Sequence, residues 1–292
     1  MLSLKGPLLI AANHPNSFLD AIILSTLFKQ PVYSLARGDA FTKPVYKKLL
    51  HSLNMFPVYR ISEGVENLEN NYDTFEKCKT IFKNNGIVLI FSEGRCINEW
   101  RLRPLKKGTA RLAQSSWEEG IALKVLPTGI NYQSFTSFGK NVQLNFGIII
   151  NEKDISPTEG YGKTINEFND KLRSELNKLV IEIDSKEKQK IRDTFFIKQP
   201  ALKKIILFFP AIIGYLLHAP LFIPLKKFAS IKGGHNDHYD SLIVGLLFLL
   251  YPLYLLLISL MVYFFIGGYW WLAVFILLPV CAKSYVQLKR QF

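Results

Sequence analysis

The sequence predicts an α/β fold, in which a largely parallel sheet is flanked by helices and followed by a C-terminal α-helical membrane region. Over the first 150 residues, short apolar runs alternate with longer amphipathic stretches, and beyond residue 200 long apolar runs dominate. Strands separated by helices are typical of βαβ units, which place parallel strands side by side. We therefore assign an α/β domain to residues 1–200 and a membrane-embedded helical region to residues 201–292.

The expected elements of the first domain follow the apolar pattern. We assign strands to residues 6–13, 31–36, 54–59, 86–91, 123–130 and 142–150, and helices to residues 17–29, 40–52, 65–84 and 107–118. Residues 160–195 carry apolar side chains at helical spacing, so we expect one long amphipathic helix that packs on the sheet. In parallel sheets, ligands bind at the carboxyl ends of the strands, in the loops that lead into helices.

Two apolar blocks occupy the C-terminal third. Residues 241–282 form an uncharged run of 42 residues, long enough for a helical hairpin that crosses a membrane twice with a reversal near Gly267–Gly268. Residues 205–225 are also uncharged but contain three prolines, so this block is either a re-entrant or surface-lying hairpin or a spanning helix. We favour the hairpin, because basic residues flank every block and are typical of the cytoplasmic side. We expect a multi-pass membrane protein with its first domain on the cytoplasmic face.

The distribution of charge indicates the partners. The formal net charge is +13, and residues 201–292 carry 8 Lys+Arg against 2 Asp+Glu. A basic excess beside apolar runs indicates a lipid membrane with anionic lipid at its surface. Neither an RNA-recognition signature nor a helix-turn-helix pattern is present, so we expect no nucleic-acid partner. The three cysteines share no metal-ligand spacing and suggest no disulfide framework, which is typical of a reduced, intracellular compartment.

The stretch "AANHPNSFLD" at residues 11–20 carries the first chemical signal. Histidine suits proton removal from a hydroxyl at neutral pH, and a carboxylate that holds its second nitrogen stabilises the imidazolium that forms. His14 in the loop and Asp20 in the next helix are candidates for these two roles. A structural role is the alternative, in which Asn16 or Ser17 caps the helix and Asp20 lies favourably near its positive end.

The stretch "FSEGR" at residues 91–95 carries the second signal. Glycine lets the backbone approach a ligand closely, and Arg95 offers a fork of donors to phosphate. The basic run "RLRPLKKGTARLA" follows, and beside "FSEGR" it suits an anion cradle, although an ordinary turn and a solvated helix face would also explain both stretches.

Taken in order, the motifs resemble the four blocks of the glycerolipid acyltransferase family, which includes lysophosphatidic acid and glycerol-3-phosphate acyltransferases. "NHPNSFLD" is similar to the His…Asp block, "FPVYR" to the strand that ends in Arg, "FSEGR" followed by "LKKGTARLA" to the Phe-Pro-Glu-Gly-Thr-Arg loop, and "VLPTGINY" to the Val-Pro strand. The resemblance covers about residues 6 to 150.

The resemblance implies a set of roles. It implies a membrane-bound enzyme of phospholipid synthesis that moves a fatty acyl group from an acyl thioester, on coenzyme A or acyl carrier protein, to a hydroxyl of glycerol phosphate or a lysophospholipid. It implies no metal and no bound cofactor. The residues implied are catalytic His14 and Asp20, and substrate-binding Arg60, Glu93, Gly94, Arg95 and Lys107.

Two departures from the family pattern bear on the acceptor. Five residues separate His14 from Asp20, where the commonest block has four. In the third block Ser92 replaces the usual proline, Arg95 stands where threonine is expected, and Cys96 occupies the arginine position. The alternatives are therefore an O-acyltransferase for another lyso-lipid, such as an acylated amino acid, or a non-catalytic membrane scaffold. The retention of the His, Asp, Glu and Gly positions argues against the scaffold.

Overall fold

The computed structural model describes residues 3–59, 70–156, 160–234 and 237–289. The strands are β1 (Leu8–Ala12), β2 (Val32–Arg37), β3 (Met55–Val58), β4 (Ile87–Phe91), β5 (Lys124–Tyr132) and β6 (Val142–Phe146). The helices are α1 (Ser17–Ser25), α2 (Pro44–Ser52), α3 (Asn70–Lys83), α4 (Gly108–Glu118), α5 (Tyr161–Leu179), α6 (Lys188–Phe195), α7 (Ala201–Gly233), α8 (Tyr239–Ile266) and α9 (Trp270–Lys289).

The chain forms two compact units. The first consists of Met1–Asn131 with Leu144–Glu182, and the second of Tyr132–Gln143 with Ile183–Phe292. The first is called the α/β unit below, and the second the helical unit. The domain boundary expected at residue 200 stays a prediction.

A six-stranded, mostly parallel sheet flanked by helices confirms the predicted fold class. The strand order is β3-β2-β4-β1-β5-β6, and β1 pairs in parallel with both β4 and β5. All five residues of β1 are buried, as expected for a strand covered on both faces of a parallel sheet. The sheet thus places the loops that follow β1 and β4 at the same edge.

The predicted helix over residues 160–195 is wrong in extent, because two helices, α5 and α6, occupy this range. Val180, which ends α5, has an extended backbone. The carbonyl oxygen of Leu179 accepts hydrogen bonds from the side-chain amides of Asn131 (2.9 Å) and Asn145 (2.8 Å). Ile181 then donates its N–H to the Asn131 side chain at 2.8 Å. Polar side chains of the sheet therefore satisfy the end of α5, and the helix stops.

Residues 205–225 lie within the continuous helix α7, so the favoured re-entrant hairpin is also wrong. A Cβ atom added to Gly214 would lie 2.2 Å from the carbonyl oxygen of Cys281, so α7 and α9 approach closely there. Tyr254 donates to the carbonyl oxygen of Leu217, which satisfies a backbone group between the prolines of α7. The spanning alternative stays a prediction for this block.

Three helices, α7, α8 and α9, are long and apolar enough to cross a membrane. Gly267 and Gly268 lie between α8 and α9, and both have positive φ angles (75° and 61°) that favour glycine. The orientation of these helices, and hence the cytoplasmic location of the α/β unit, stays a prediction.

Candidate active site

The register of β1 and β4 explains why two distant motifs meet. Ala12, the last residue of β1, pairs with Phe91, the last residue of β4. His14 and Glu93 each follow their strand by two residues, and both strands point the same way. The N–H of His14 therefore donates to Glu93 Oε2 at 2.7 Å, although the two residues are 79 positions apart.

His14 and Asp20 form the pair that the first motif predicts. His14 Nδ1 lies 2.9 Å from Asp20 Oδ2. The side chain of Asp20 is fully buried, whereas that of His14 is 17% exposed. Because a carboxylate oxygen accepts, Nδ1 carries the proton in this contact and leaves Nε2 of the neutral ring as an acceptor. This arrangement is the one a histidine general base requires.

The loop between the two residues accommodates the additional residue of the first block. Asn16 donates its backbone N–H to Asp20 Oδ2 at 2.8 Å. Ser17 has a φ of 49°, a left-handed conformation that is uncommon outside glycine. The tight bend turns the chain within residues 15–17, so that the first turn of α1 returns Asp20 to the histidine.

The capping alternative for this motif is contradicted for Asn16, whereas Asp20 does lie in the first turn of α1, as that alternative expects. Asn16 precedes α1, yet it makes no side-chain capping hydrogen bond to the helix. Asp20 instead accepts from the loop and lies beside the imidazole.

Glu93 joins three parts of the site. Its second oxygen, Oε1, accepts the backbone N–H of Arg103 at 2.8 Å, while Oε2 holds His14. Burial raises the pKa of Glu93, and the two backbone hydrogen bonds partly offset this effect. The role predicted for Glu93 was substrate binding, and the contacts indicate that it positions the His14 loop against the loop after β4.

Phe91 packs against the His14 ring, and Gly94 forms the turn that follows β4. The ring of Phe91 stacks on the His14 imidazole with centroids 3.9 Å apart and planes 9° from parallel, which restricts the rotation of the base. Gly94 has a φ of 67°, and a Cβ atom there would lie 2.9 Å from the side chain of Lys106. Glycine is therefore required by the turn itself.

Ser92, which stands where the family has proline, has a structural explanation. Its backbone N–H donates to the carbonyl oxygen of Ala12 at 2.8 Å, a hydrogen bond that proline cannot make. Its hydroxyl accepts from Thr109 at 3.0 Å within the protein interior. The substitution thus extends the pairing of β4 with β1.

The predicted cations do not join this network. Arg95 and Lys107 are exposed, and Lys107 immediately precedes α4. Arg60 lies outside the described residues. The structure therefore brings together His14, Asp20 and Glu93, and the convergence of the three cations stays a prediction.

Sequence reasoning gave no role to Phe91 or Arg103 and treated Cys96 only as a departure from the family pattern. Arg103 was noted as part of a basic run, but its contribution here is a backbone N–H, for which a sequence carries no signal. Cys96 accepts the backbone N–H of Ser17 with its thiol, which the sequence does not reveal either.

Among residues 3–59, 70–156, 160–234 and 237–289, no group of three His, Cys, Asp or Glu side chains could hold a metal ion.

The fourth motif is tied to the first through its backbone. The side chain of Asn13 donates to the carbonyl oxygen of Ile130 at 3.0 Å and accepts the N–H of the same residue at 2.7 Å. This double contact fixes the start of the His14 loop to β5.

The chain is similar to proteins of known family and structure. Residues 1–131 match the model of the Acyltransferase family. The match confirms the expected resemblance over this part of the chain, which contains His14, Asp20 and the "FSEGR" loop. The crystal structure of the 1-acyl-sn-glycerophosphate (LPA) acyltransferase PlsC from Thermotoga maritima is similar at 16% identity, with a TM-score of 0.42, over 67% of this chain and 69% of that chain. No curated protein matches the chain.

Proposed function

We propose that the protein is a membrane-bound acyltransferase that transfers a fatty acyl group from a thioester to a hydroxyl of glycerol phosphate or lysophosphatidate. The observation that carries this proposal is the 2.9 Å contact between His14 Nδ1 and the buried Asp20 carboxylate. The contact leaves one imidazole nitrogen available to take a proton. The donor would be acyl coenzyme A or acyl carrier protein, with no bound cofactor.

The reaction follows from the roles of the two nitrogens. Nε2 of His14 takes the proton of the acceptor hydroxyl as its oxygen attacks the thioester carbonyl carbon. Asp20 stabilises the imidazolium through Nδ1–H. The carbon–sulfur bond then breaks, an ester forms, and the leaving thiolate takes the proton from the imidazolium. Burial of Asp20 strengthens its interaction with the ring, because little solvent screens it.

Acceptor recognition in this proposal depends on cations in separate motifs. Arg95 is exposed one residue after the Gly94 turn, and Lys107 is exposed at the start of α4. Charge-assisted hydrogen bonds to phosphate are stronger than neutral ones. Arg60 is assigned to the same role from the sequence motif alone.

The altered third block favours a second acceptor class. Cys96 takes the position of the family's arginine, and its thiol is engaged with the backbone of Ser17. One cation of the usual phosphate site is thereby replaced by a neutral group. An acceptor with a single negative charge, such as an acylated amino acid with a hydroxyl, suits this change.

Acyl transfer by membranes that contain the full chain tests both acceptor classes. Radiolabelled acyl coenzyme A and acyl carrier protein are offered with glycerol phosphate, lysophosphatidate and hydroxylated lyso-lipids, and membranes with His14→Ala serve as the matched control. We expect ester formation that depends on His14 and is fastest with a phosphate acceptor. Fastest transfer to an acylated amino acid would favour the second class. No transfer to any acceptor by folded protein would contradict the enzymatic proposal and favour a scaffold.

A further inference from the structure

The helical unit contains a cavity of about 390 Å³ that the acyltransferase chemistry does not use. This volume lies within the range of about 300–1,000 Å³ that is typical of small-molecule sites. The cavity is lined mainly by apolar and aromatic side chains of α7, α8 and α9, among them Phe222, Leu247, Phe248 and Val286. An apolar cavity between helices of this composition is accessible to the hydrocarbon chains of a membrane.

Two polar side chains on its wall, His218 and Tyr251, are engaged with each other. His218 Nδ1 donates to the carbonyl oxygen of Gly214 at 2.7 Å, and Nε2 lies 3.1 Å from the hydroxyl of Tyr251. Both nitrogens of the imidazole therefore have partners, and the Tyr251 hydroxyl acts as donor to Nε2. A polar ligand beside these two side chains therefore gains little from hydrogen bonds with them. A hydrocarbon chain needs no hydrogen bond and can lie there without leaving a polar group unsatisfied.

One end of the cavity is positively charged. Lys289, the last residue of α9, lines the cavity, and Lys226 lies on α7 about one turn after the cavity-lining residue Phe222. Within residues 3–59, 70–156, 160–234 and 237–289, no carboxylate pairs with either lysine. Positive charge at the end of an apolar cavity favours the binding of an anion there.

Another lysine of the helical unit, in contrast to Lys226 and Lys289, is paired with a carboxylate. Lys140 pairs with Asp240, and both side chains are buried, with 6% and 2% exposed. The carboxylate of Asp240 is thereby neutralised by Lys140. Lys226 and Lys289, by contrast, are both exposed.

We infer that the cavity binds one hydrocarbon chain of an anionic phospholipid, whose phosphate lies between Lys226 and Lys289. The chain occupies the apolar walls, and the headgroup takes the charged end, where long lysine side chains reach the membrane interface. A zwitterionic phospholipid would bring its own cation toward two lysines and bind less well. The inference does not depend on the proposed function.

Photo-crosslinking of the full chain in phosphatidylcholine nanodiscs tests the inference. The probes are phosphatidic acid and phosphatidylcholine that carry the same diazirine acyl chain, and labelled peptides are located by mass spectrometry. We expect the phosphatidic acid probe to label the cavity segments of α7 and α8 about tenfold more than the phosphatidylcholine probe, since the choline cation of phosphatidylcholine is repelled by the lysines, whereas the headgroup of phosphatidic acid carries only negative charge. Equal labelling by the two probes would overturn the headgroup assignment.

Matched variants separate the chain from the headgroup. Leu247→Trp fills the cavity and should remove most of the labelling, whereas Leu249→Trp, two residues away at a position 66% exposed, should not. Lys289→Gln should abolish the preference for phosphatidic acid, and Lys289→Arg should keep it, with Lys283→Gln as the control lysine on α9.

Folding of each variant is checked by helical circular dichroism and monodispersity. If Leu247→Trp fails to fold, Ala219→Phe fills the same cavity from α7. Labelling that persists in a folded, cavity-filled variant would overturn the inference. Because crosslinking requires no acyl transfer, an inactive enzyme that binds the probe would refute only the proposed function.

Discussion

The thiol of Cys96 accepts a hydrogen bond of 2.8 Å from the backbone N–H of Ser17. Ser17 is the residue whose φ of 49° lets the chain turn between His14 and Asp20. The two departures from the family pattern, a longer first block and a cysteine in the third, are therefore in contact. The cysteine holds the bend that the additional residue requires.

Replacing Cys96 tests this coupling. Cys96→Ala should lower the acyl-transfer rate about tenfold, because a looser Ser17 bend displaces Asp20 from the imidazole, and small misplacements at a reacting centre are costly. Cys96→Ser keeps an acceptor for the Ser17 N–H and should retain most of the rate. Cys281→Ala in α9 serves as the control thiol. A full rate in Cys96→Ala would show that the bend holds without the thiol.

Substitution of the histidine–aspartate pair tests the catalytic assignment. His14→Ala should lower the rate by about 10²–10⁴-fold, which is the usual contribution of a general base. Asp20→Asn should lower it by roughly 10²-fold, because the amide cannot stabilise the imidazolium as a carboxylate does. Rates are compared at saturating donor and acceptor, and membrane partition and thermal unfolding should be unchanged for His14→Ala. Near-normal transfer by His14→Ala would exclude His14 as the base.

The titration of Glu93 predicts how stability depends on pH. Burial raises the pKa of Glu93 above 4.5, so the folded state keeps the proton at pH values where the unfolded chain has lost it. The contribution of Glu93 to the free energy of unfolding therefore falls as the pH rises from about 4.5 through the folded pKa. Glu93→Gln cannot ionise, and it loses one acceptor of the His14 and Arg103 N–H groups.

Melting temperatures of wild type and Glu93→Gln, measured at several pH values above and below 4.5, check this expectation. The wild type should be more stable by the largest margin at the acidic end, and the margin should narrow as the pH rises. A margin that widens with pH would mean that the two backbone hydrogen bonds outweigh burial and lower the pKa.

The cations assigned to acceptor binding predict a selective effect on the acceptor. Arg95→Ala, Lys107→Ala and Arg60→Ala should each raise the apparent KM for a phosphate acceptor about tenfold, since a charge-assisted bond contributes roughly 1.5–3 kcal/mol. The KM for the acyl donor should change little. Arg101→Ala, at an exposed arginine paired with Glu99, is the matched control. A rise confined to the donor would place these residues at the thioester carrier.

Local pattern was sufficient for the fold class and for most of its elements. Apolar runs marked each strand of the sheet to within a few residues, because parallel strands covered on both faces are continuously apolar. The positions of His14, Asp20 and Glu93 were also readable, since His14 and Glu93 each follow a strand in a loop and Asp20 lies in the first turn of the next helix. The ends of the elements could not be predicted from the sequence. Helix α5, for example, stops where Asn131 and Asn145, which are distant in sequence, donate hydrogen bonds to its last residue.

The sequence by itself predicted which residues carry chemistry, and tertiary structure alone decided how they are held. Five residues between His14 and Asp20 left their pairing uncertain, and the left-handed bend at Ser17 settled it. Glu93 reaches the His14 loop because the parallel register aligns Ala12 with Phe91. The contact with Glu93 is made by the backbone N–H of His14, 79 positions away in the chain. Every residue except proline has such a donor, so side-chain identity does not reveal where it will point.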